Sequence, residues 1–147
     1  MSDIDAKLRD FPVVITRPAS WCPEPTGDGE ILDPDYFAYM EDVRLAYFQA
    51  LDLFDSRGQW GDLAPVSGPV SCESDAGLHV SDTIQMGARV IDISDGGLQM
   101  EYLLVRASDG TVLARGGAEI TAYDLGREES VDIPDVWRAA VERLRAE

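Results

Sequence analysis

Apolar residues follow two different periods along this chain. From about Pro34 to Phe54 they recur near helical spacing, at Phe37, Met40, Leu45, Phe48 and Leu51, which predicts one long helix. From Thr83 onward they come in longer runs broken by Asp-Gly turns, which predicts strands over Thr83–Ser94, Leu98–Ala107 and Thr111–Leu125. Ser94-Asp95-Gly96-Gly97 and Ser108-Asp109-Gly110 supply the positive-φ positions that tight hairpins need, so the three strands form an antiparallel meander. Phe11–Thr16 reads as a first strand and Pro69–Glu73 as a second, with Ser56–Gly68 a loop between helix and strand. A closing amphipathic helix begins at Pro134, with Val136, Trp137, Ala140, Val141 and Leu144 on its inner face.

The order is strand, loop, long helix, then four strands. A helix of this length is covered best by a five-stranded sheet wrapped around it, an α+β fold in one domain spanning 1–147. Its core covers about 11–126 and its last helix about 134–147.

The loop from Arg17 to Asp33 carries Pro18, Pro23, Pro25, Gly27 and Gly29. Loops of that length without secondary structure are uncommon and are often functional. It feeds directly into the helix. Asp33 is an N-cap candidate and Pro34 suits the first helical position, where a missing N–H costs nothing. The free N–H groups of the first turn would then face whatever the loop holds, an arrangement suited to a developing oxyanion.

Composition narrows the function. The chain has 147 residues, 45% hydrophobic and 27% charged, ordinary for a soluble domain. Its 28 acidic and 12 basic residues give a formal net charge of −16, which argues against nucleic acid or an anionic membrane surface as partner. A polyphosphorylated ligand would need arginines gathered locally. Cys22 and Cys72 make no disulfide framework and fit no metal spacing, so free thiols are expected. The segment MSDIDAKLRDF is too polar for a signal peptide and no apolar run approaches ~18 residues, so a cytoplasmic protein is expected.

The segment GEILDPDYFAYMEDVRLAYFQAL resembles the 4-hydroxybenzoyl-CoA branch of the hot-dog thioesterases, with Gly29, Tyr36, Glu41 and Arg44 at matching positions. SDTIQMGARVIDI resembles that family's strand opening, with Asp82 as the match, and the two Asp-Gly turns and IPDVW fall where the family has its last hairpins and closing Ile-Pro. The resemblance covers roughly residues 11–137. It implies a hot-dog fold, hydrolysis of an acyl-CoA thioester without a metal or cofactor, and a homodimer or dimer of dimers with the acyl group at the subunit interface. There is one departure. Where the family usually carries Asp-x-Asp before the glycine, this chain has Glu24 and Thr26, and Glu30 stands where the family often has His.

Thioester hydrolysis requires a carboxylate that attacks or activates water, and donors for the oxyanion. Glu41 is the first candidate for the carboxylate, against a structural role paired with Arg44 three residues on. Asp28 and Glu24 come next, against solvated loop acids, and Thr26 either positions water or is a turn hydroxyl. By the resemblance, backbone N–H groups at Asp33 and after Gly29 supply the oxyanion donors, with Tyr36 beside the substrate. His79, the one histidine, reads as a surface or hydrogen-bonded residue. Arg57, Arg89, Arg106 and Arg115 are available for CoA phosphates. The rival reading is a hot-dog protein that binds an acyl or aromatic ligand without turnover, and Thr26 favours it. A dehydratase would want a His-Asp pair that His79 is badly placed to supply.

Overall fold

The computed structural model describes residues 8–19, 29–31, 35–52 and 63–146. Nine strands and two helices run in chain order through these residues, and five of the strands make the path across one antiparallel sheet. β1 (Val13–Pro18) lies at one edge against β6 (Thr83–Ile93), which pairs with β7 (Leu98–Arg106), then β8 (Val112–Asp124), then β3 (Leu63–Ser67) at the other edge. Two short strands, β4 (Ser71–Ser74) and β9 (Glu129–Val131), also pair with β8, so this sheet has seven strands where the sequence predicted five. β2 (Glu30–Ile31) and β5 (Leu78–His79) form a separate two-stranded ribbon.

The meander falls where the Asp-Gly turns predict it. β3, by contrast, lies inside the predicted loop Ser56–Gly68. Pro65 and the flanking Gly and Asp residues hide it, and an edge strand is where a sheet tolerates proline.

α1 (Tyr36–Ala50) lies in the concavity of the sheet. Its buried residues Tyr36, Tyr39, Met40, Val43, Tyr47 and Phe48 keep a 3.6-residue period and pack on Met86, Ala88, Met100, Leu104 and Ile120 from the strands. Burying each of these large side chains is worth about 1.5–3 kcal/mol. The sheet lets the helix in closely because β8 has Gly116, where a Cβ would come within 2.7 Å of Met40 Sδ. Phe37 and Leu45, two of the apolar positions that suggested the helix, instead point outward with Glu41 between them, one turn apart.

The helix is shorter than predicted at both ends. Its cap is Asp35 rather than Asp33: Ala38 N–H, the third of the first turn, donates to Asp35 Oδ1 at 3.3 Å. The tyrosine that follows Asp35 is anchored, its hydroxyl donating to Ala76 O at 2.9 Å. At the far end Asp52 adopts φ 56 and closes the helix at Ala50, four residues before Phe54. Glu24, Thr26, Asp28, Asp33, Pro34 and Cys22 lie outside the described residues.

α2 (Asp135–Ala146) covers the end of the core beside the last turns of α1, burying Trp137, Ala140, Val141 and Leu144. Arg143 donates to Leu51 O at 2.9 Å and Arg145 to Val90 O at 3.0 Å, which ties this helix to α1 and β6. Val136, predicted on the inner face, is exposed because it lies about 100° around the helix from Trp137.

Candidate functional site

Two clefts flank the first half of α1, and the charged residues of the sequence motifs divide between them. The first lies between the outward side of α1 and the end of β3. It has a volume of about 250 Å³, with Phe37, Met40, Val70 and Tyr102 as apolar walls and Glu41 and Arg44 as its charged groups. Glu41 sits in the second turn of α1 with its side chain 67% exposed, while Arg44, in the third turn, is only 15% exposed. Their ion pair is long, Arg44 Nη2 to Glu41 Oε1 at 3.7 Å. Exposed pairs of this kind contribute little. Glu41 is thus a carboxylate open to solvent on one side and to an apolar cleft on the other.

Tyr102 lines the back of this cleft. Burial pushes its phenol up to about 12, with the Arg44 charge working the other way, so its hydroxyl stays neutral. That hydroxyl lies 3.8 Å from Met100 Sδ.

The second cleft is wider, about 750 Å³, and opens between the β2–β5 ribbon and the end of β7; Glu30, Ile31, Asp75, His79, Asp82 and Arg106 line it. Arg106 organises it. Its guanidinium donates to Asp82 Oδ2 at 3.3 Å, Asp109 Oδ2 at 3.1 Å and Gly77 O at 2.9 Å. Burial disfavours its charge, but the hydrogen bonds and charges of Asp109 and Asp82 outweigh that and hold its pKa above the ordinary value. Asp82 Oδ2 in turn accepts the His79 N–H at 2.9 Å. The His79 ring is fixed as well: Nδ1 accepts the Ser81 N–H at 3.0 Å and lies 2.7 Å from Ser81 Oγ.

Gly29 rests directly on that ring. It has φ +88, and a Cβ there would fall 2.5 Å from His79 Nε2, so glycine is required both by the backbone and by the contact. Gly29 O accepts Val80 N–H at 2.7 Å, and the β2–β5 pairing extends the junction. Tyr36 reaches the same segment from the helix side through its bond to Ala76 O. Its ring is buried, which raises its phenol to about 12 and keeps the hydroxyl protonated as the donor in that bond.

The structure therefore brings Gly29, Tyr36, His79 and Asp82 together on the 75–82 segment and sets Glu41 apart with Arg44 beside β3. His79 is hydrogen-bonded, one of the two roles the sequence suggests for it, while its link to Asp82, three residues on, is a contact the sequence analysis did not draw. Among the arginines considered for phosphates, Arg89 is paired with Glu101 at 2.6 Å, Arg106 as above and Arg115 with Asp75 at 3.2 Å; Arg57 lies outside the described residues. Arg9, Arg89 and Arg145 line one groove beside the C-terminal half of α1.

No curated protein sequence matches this chain. Its fold is shared with solved structures at low identity. A protein of Pseudomonas aeruginosa strain PAO1 superposes with a TM-score of 0.75 at 20% identity, over 93% of this chain and 94% of that one. A thioesterase from Thermus thermophilus, solved with coenzyme A and zinc, gives 0.71 at 20% identity over 94% and 97%. A 1,4-dihydroxy-2-naphthoyl-CoA thioesterase from Synechocystis gives 0.72 at 16% identity over 89% and 94%. These likenesses establish the hot-dog fold. No helix among the described residues is long and apolar enough to cross a membrane. The sequence model of the thioesterase-like superfamily matches residues 28–141, which spans the helix, both clefts and the meander, and the chain belongs to that family.

Proposed function

We propose that the protein hydrolyses an acyl-CoA thioester, with Glu41 as general base. The observation that carries this reading is the placement of Glu41: an exposed carboxylate at the mouth of an apolar cleft, on the solvent side of the helix that the family motif occupies. Glu41 takes a proton from water as the water oxygen attacks the thioester carbon. The carbonyl oxygen gains the negative charge, and backbone N–H groups at Asp33 and after Gly29 are the donors proposed for it, brought to Glu41 across the subunit interface of the dimer. The C–S bond then breaks, the CoA thiolate leaves, and the proton held by Glu41 returns to it. Asp28 and Glu24 are the next candidates for the base, and Thr26 is a position for ordering water.

The wet side of Glu41 calls for a second copy. Among the described residues β3 has a sheet neighbour on one side only, and Val66 on it and Phe37 and Leu45 on α1 are exposed apolar side chains. An unpaired edge beside apolar residues is a surface for association. A homodimer, itself able to double, would exclude water there. Negative charge overall opposes the CoA phosphates, and the groove of Arg9, Arg89 and Arg145 is a local exception to it.

Thr26, in the position where the family's catalytic aspartate is expected, favours a second reading, a protein that binds an acyl or aromatic ligand and leaves it intact. Thiol release from aromatic, short and long acyl-CoAs at neutral pH separates the two. Saturable turnover of one class is the expected result. Absence of turnover, with acyl-CoA still raising the melting temperature, would establish the binding protein instead.

A further inference from the structure

Tyr36, Tyr39 and Tyr102 are each at most 2% exposed, yet their hydroxyls meet different acceptors. Tyr36 donates to Ala76 O and Tyr39 to Ala19 O, both at 2.9 Å. The Tyr102 hydroxyl has a sulfur instead: among the described residues its one partner is Met100 Sδ, at 3.8 Å. A thioether is a weak acceptor, and buried tyrosine hydroxyls usually find a full one. The residues opposite Tyr102 in the sheet, Ala88 on β6 and Gly116 on β8, have no polar side-chain atom to offer in its place. The other hydroxyl of the cleft, on Ser67, donates to Gly68 O at 2.9 Å. The Tyr102 phenol is thus satisfied, but by a partner it can trade for a better one.

Its place gives that trade a use. Tyr102 lines the back of the cleft that has Glu41 at its mouth, and the Arg44 charge that acts on its phenol belongs to the same cleft. A volume of about 250 Å³ falls just below the range of ordinary small-molecule sites, so an acyl group that enters is short. With the thioester at Glu41, the far end of that group meets Tyr102. We propose that Tyr102 is a specificity-determining residue whose hydroxyl donates to an oxygen at the far end of the acyl group, so that the substrate is the CoA thioester of a short hydroxy or oxo acid. This rests on the thioesterase reading, with Glu41 at the reacting carbon. An acyl group without that oxygen still leaves the hydroxyl its bond to Met100 Sδ, so the preference is moderate rather than absolute.

The test compares 5-hydroxypentanoyl-CoA with hexanoyl-CoA, which carries a methyl group where the first has its hydroxyl, in wild type, Tyr102→Phe and Met100→Leu. The readout is the ratio of the two kcat/KM values, which a general loss of packing would not move. Wild type is expected to prefer the hydroxy compound, and Tyr102→Phe to lower the ratio about tenfold. Met100→Leu takes away the sulfur and leaves the hydroxyl dependent on the substrate, so the ratio should rise above that of wild type. A wild-type preference for hexanoyl-CoA overturns the proposal, as does a ratio that Tyr102→Phe leaves unchanged or that Met100→Leu lowers. If neither thioester is hydrolysed, protection against heat decides the site on its own, and refusal of every other acyl-CoA as well marks failure of the thioesterase reading. Greater protection by 5-hydroxypentanoyl-CoA than by hexanoyl-CoA, with the difference lost in Tyr102→Phe, supports the site. Equal protection, none, or a difference that survives in Tyr102→Phe overturns it.

Discussion

Arg106 and Arg44 are nearly equally withdrawn from water, with side chains 21% and 15% exposed, yet they are set in opposite kinds of surroundings. Two aspartates and a main-chain carbonyl accept from Arg106, and through Asp82 it also fixes His79 and the ribbon under Gly29. Arg44 shares its cleft with Phe37, Met40, Val70 and Tyr102, and with Glu41, Ser67 and Gly68 as the polar part of the lining. The first cation is tied into the fold by its bonds; the second keeps its nitrogens within reach of water beside Glu41.

The sharpest break between the two regions should come from Glu41→Gln. Removing the general base is expected to lower kcat by about 10²–10⁴-fold. The same change should move stability by less than about 0.5 kcal/mol, because the long, exposed pair to Arg44 contributes little. Urea titration beside a thiol-release assay gives both numbers, and a large stability loss would return Glu41 to a structural role.

Arg106→Met comes next. It strands Asp82 and Gly77 O and is expected to cost about 2–3 kcal/mol. Arg44→Met, which removes no hydrogen bond, should stay within about 1 kcal/mol of wild type in the same denaturation experiment. Equal losses would erase the distinction. Gly29→Ala tests whether the Arg106 network matters as a support. Positive φ and the His79 ring both oppose a methyl group, so a loss of about 1–2 kcal/mol is expected, with larger damage to kcat than to KM. The smallest effect belongs to a double-mutant cycle over Glu41 and Arg44, whose coupling should lie below about 0.5 kcal/mol.

The frame was legible in the sequence wherever one local rule acted alone. Asp-Gly turns gave the meander, and helical spacing gave α1 and α2. Where two rules competed, the sequence could not rank them. Pro65 read as a loop breaker although β3 is an edge that accepts it. Asp33 reads as the cap, yet it is Asp35 that accepts the first-turn N–H of Ala38, next to a tyrosine bound to Ala76. Phe37 and Leu45 share the apolar character of Met40 and Phe48, so composition could not reveal that they face outward. The site was harder still, because it depends on residues far apart in the chain. That Gly29 meets His79, or that Arg44 shares a cleft with Ser67 and Tyr102, follows from β2 pairing with β5 and from where β3 ends, neither of which has a local signature.

The strand order also bears on how the chain is made. β1 finds its partner only when β6 appears, with Val13 opposite Ala88, and β3 waits for β8, with Leu63 opposite Asp124. A ribosome therefore releases the tyrosine-rich face of α1 well before the meander that will cover it. Contacts this distant fold slowly, and apolar surface left open meanwhile invites aggregation. Translation that stalls ahead of Thr83 would lengthen that interval, leaving Tyr36, Tyr39 and Tyr47 without the strands that bury them.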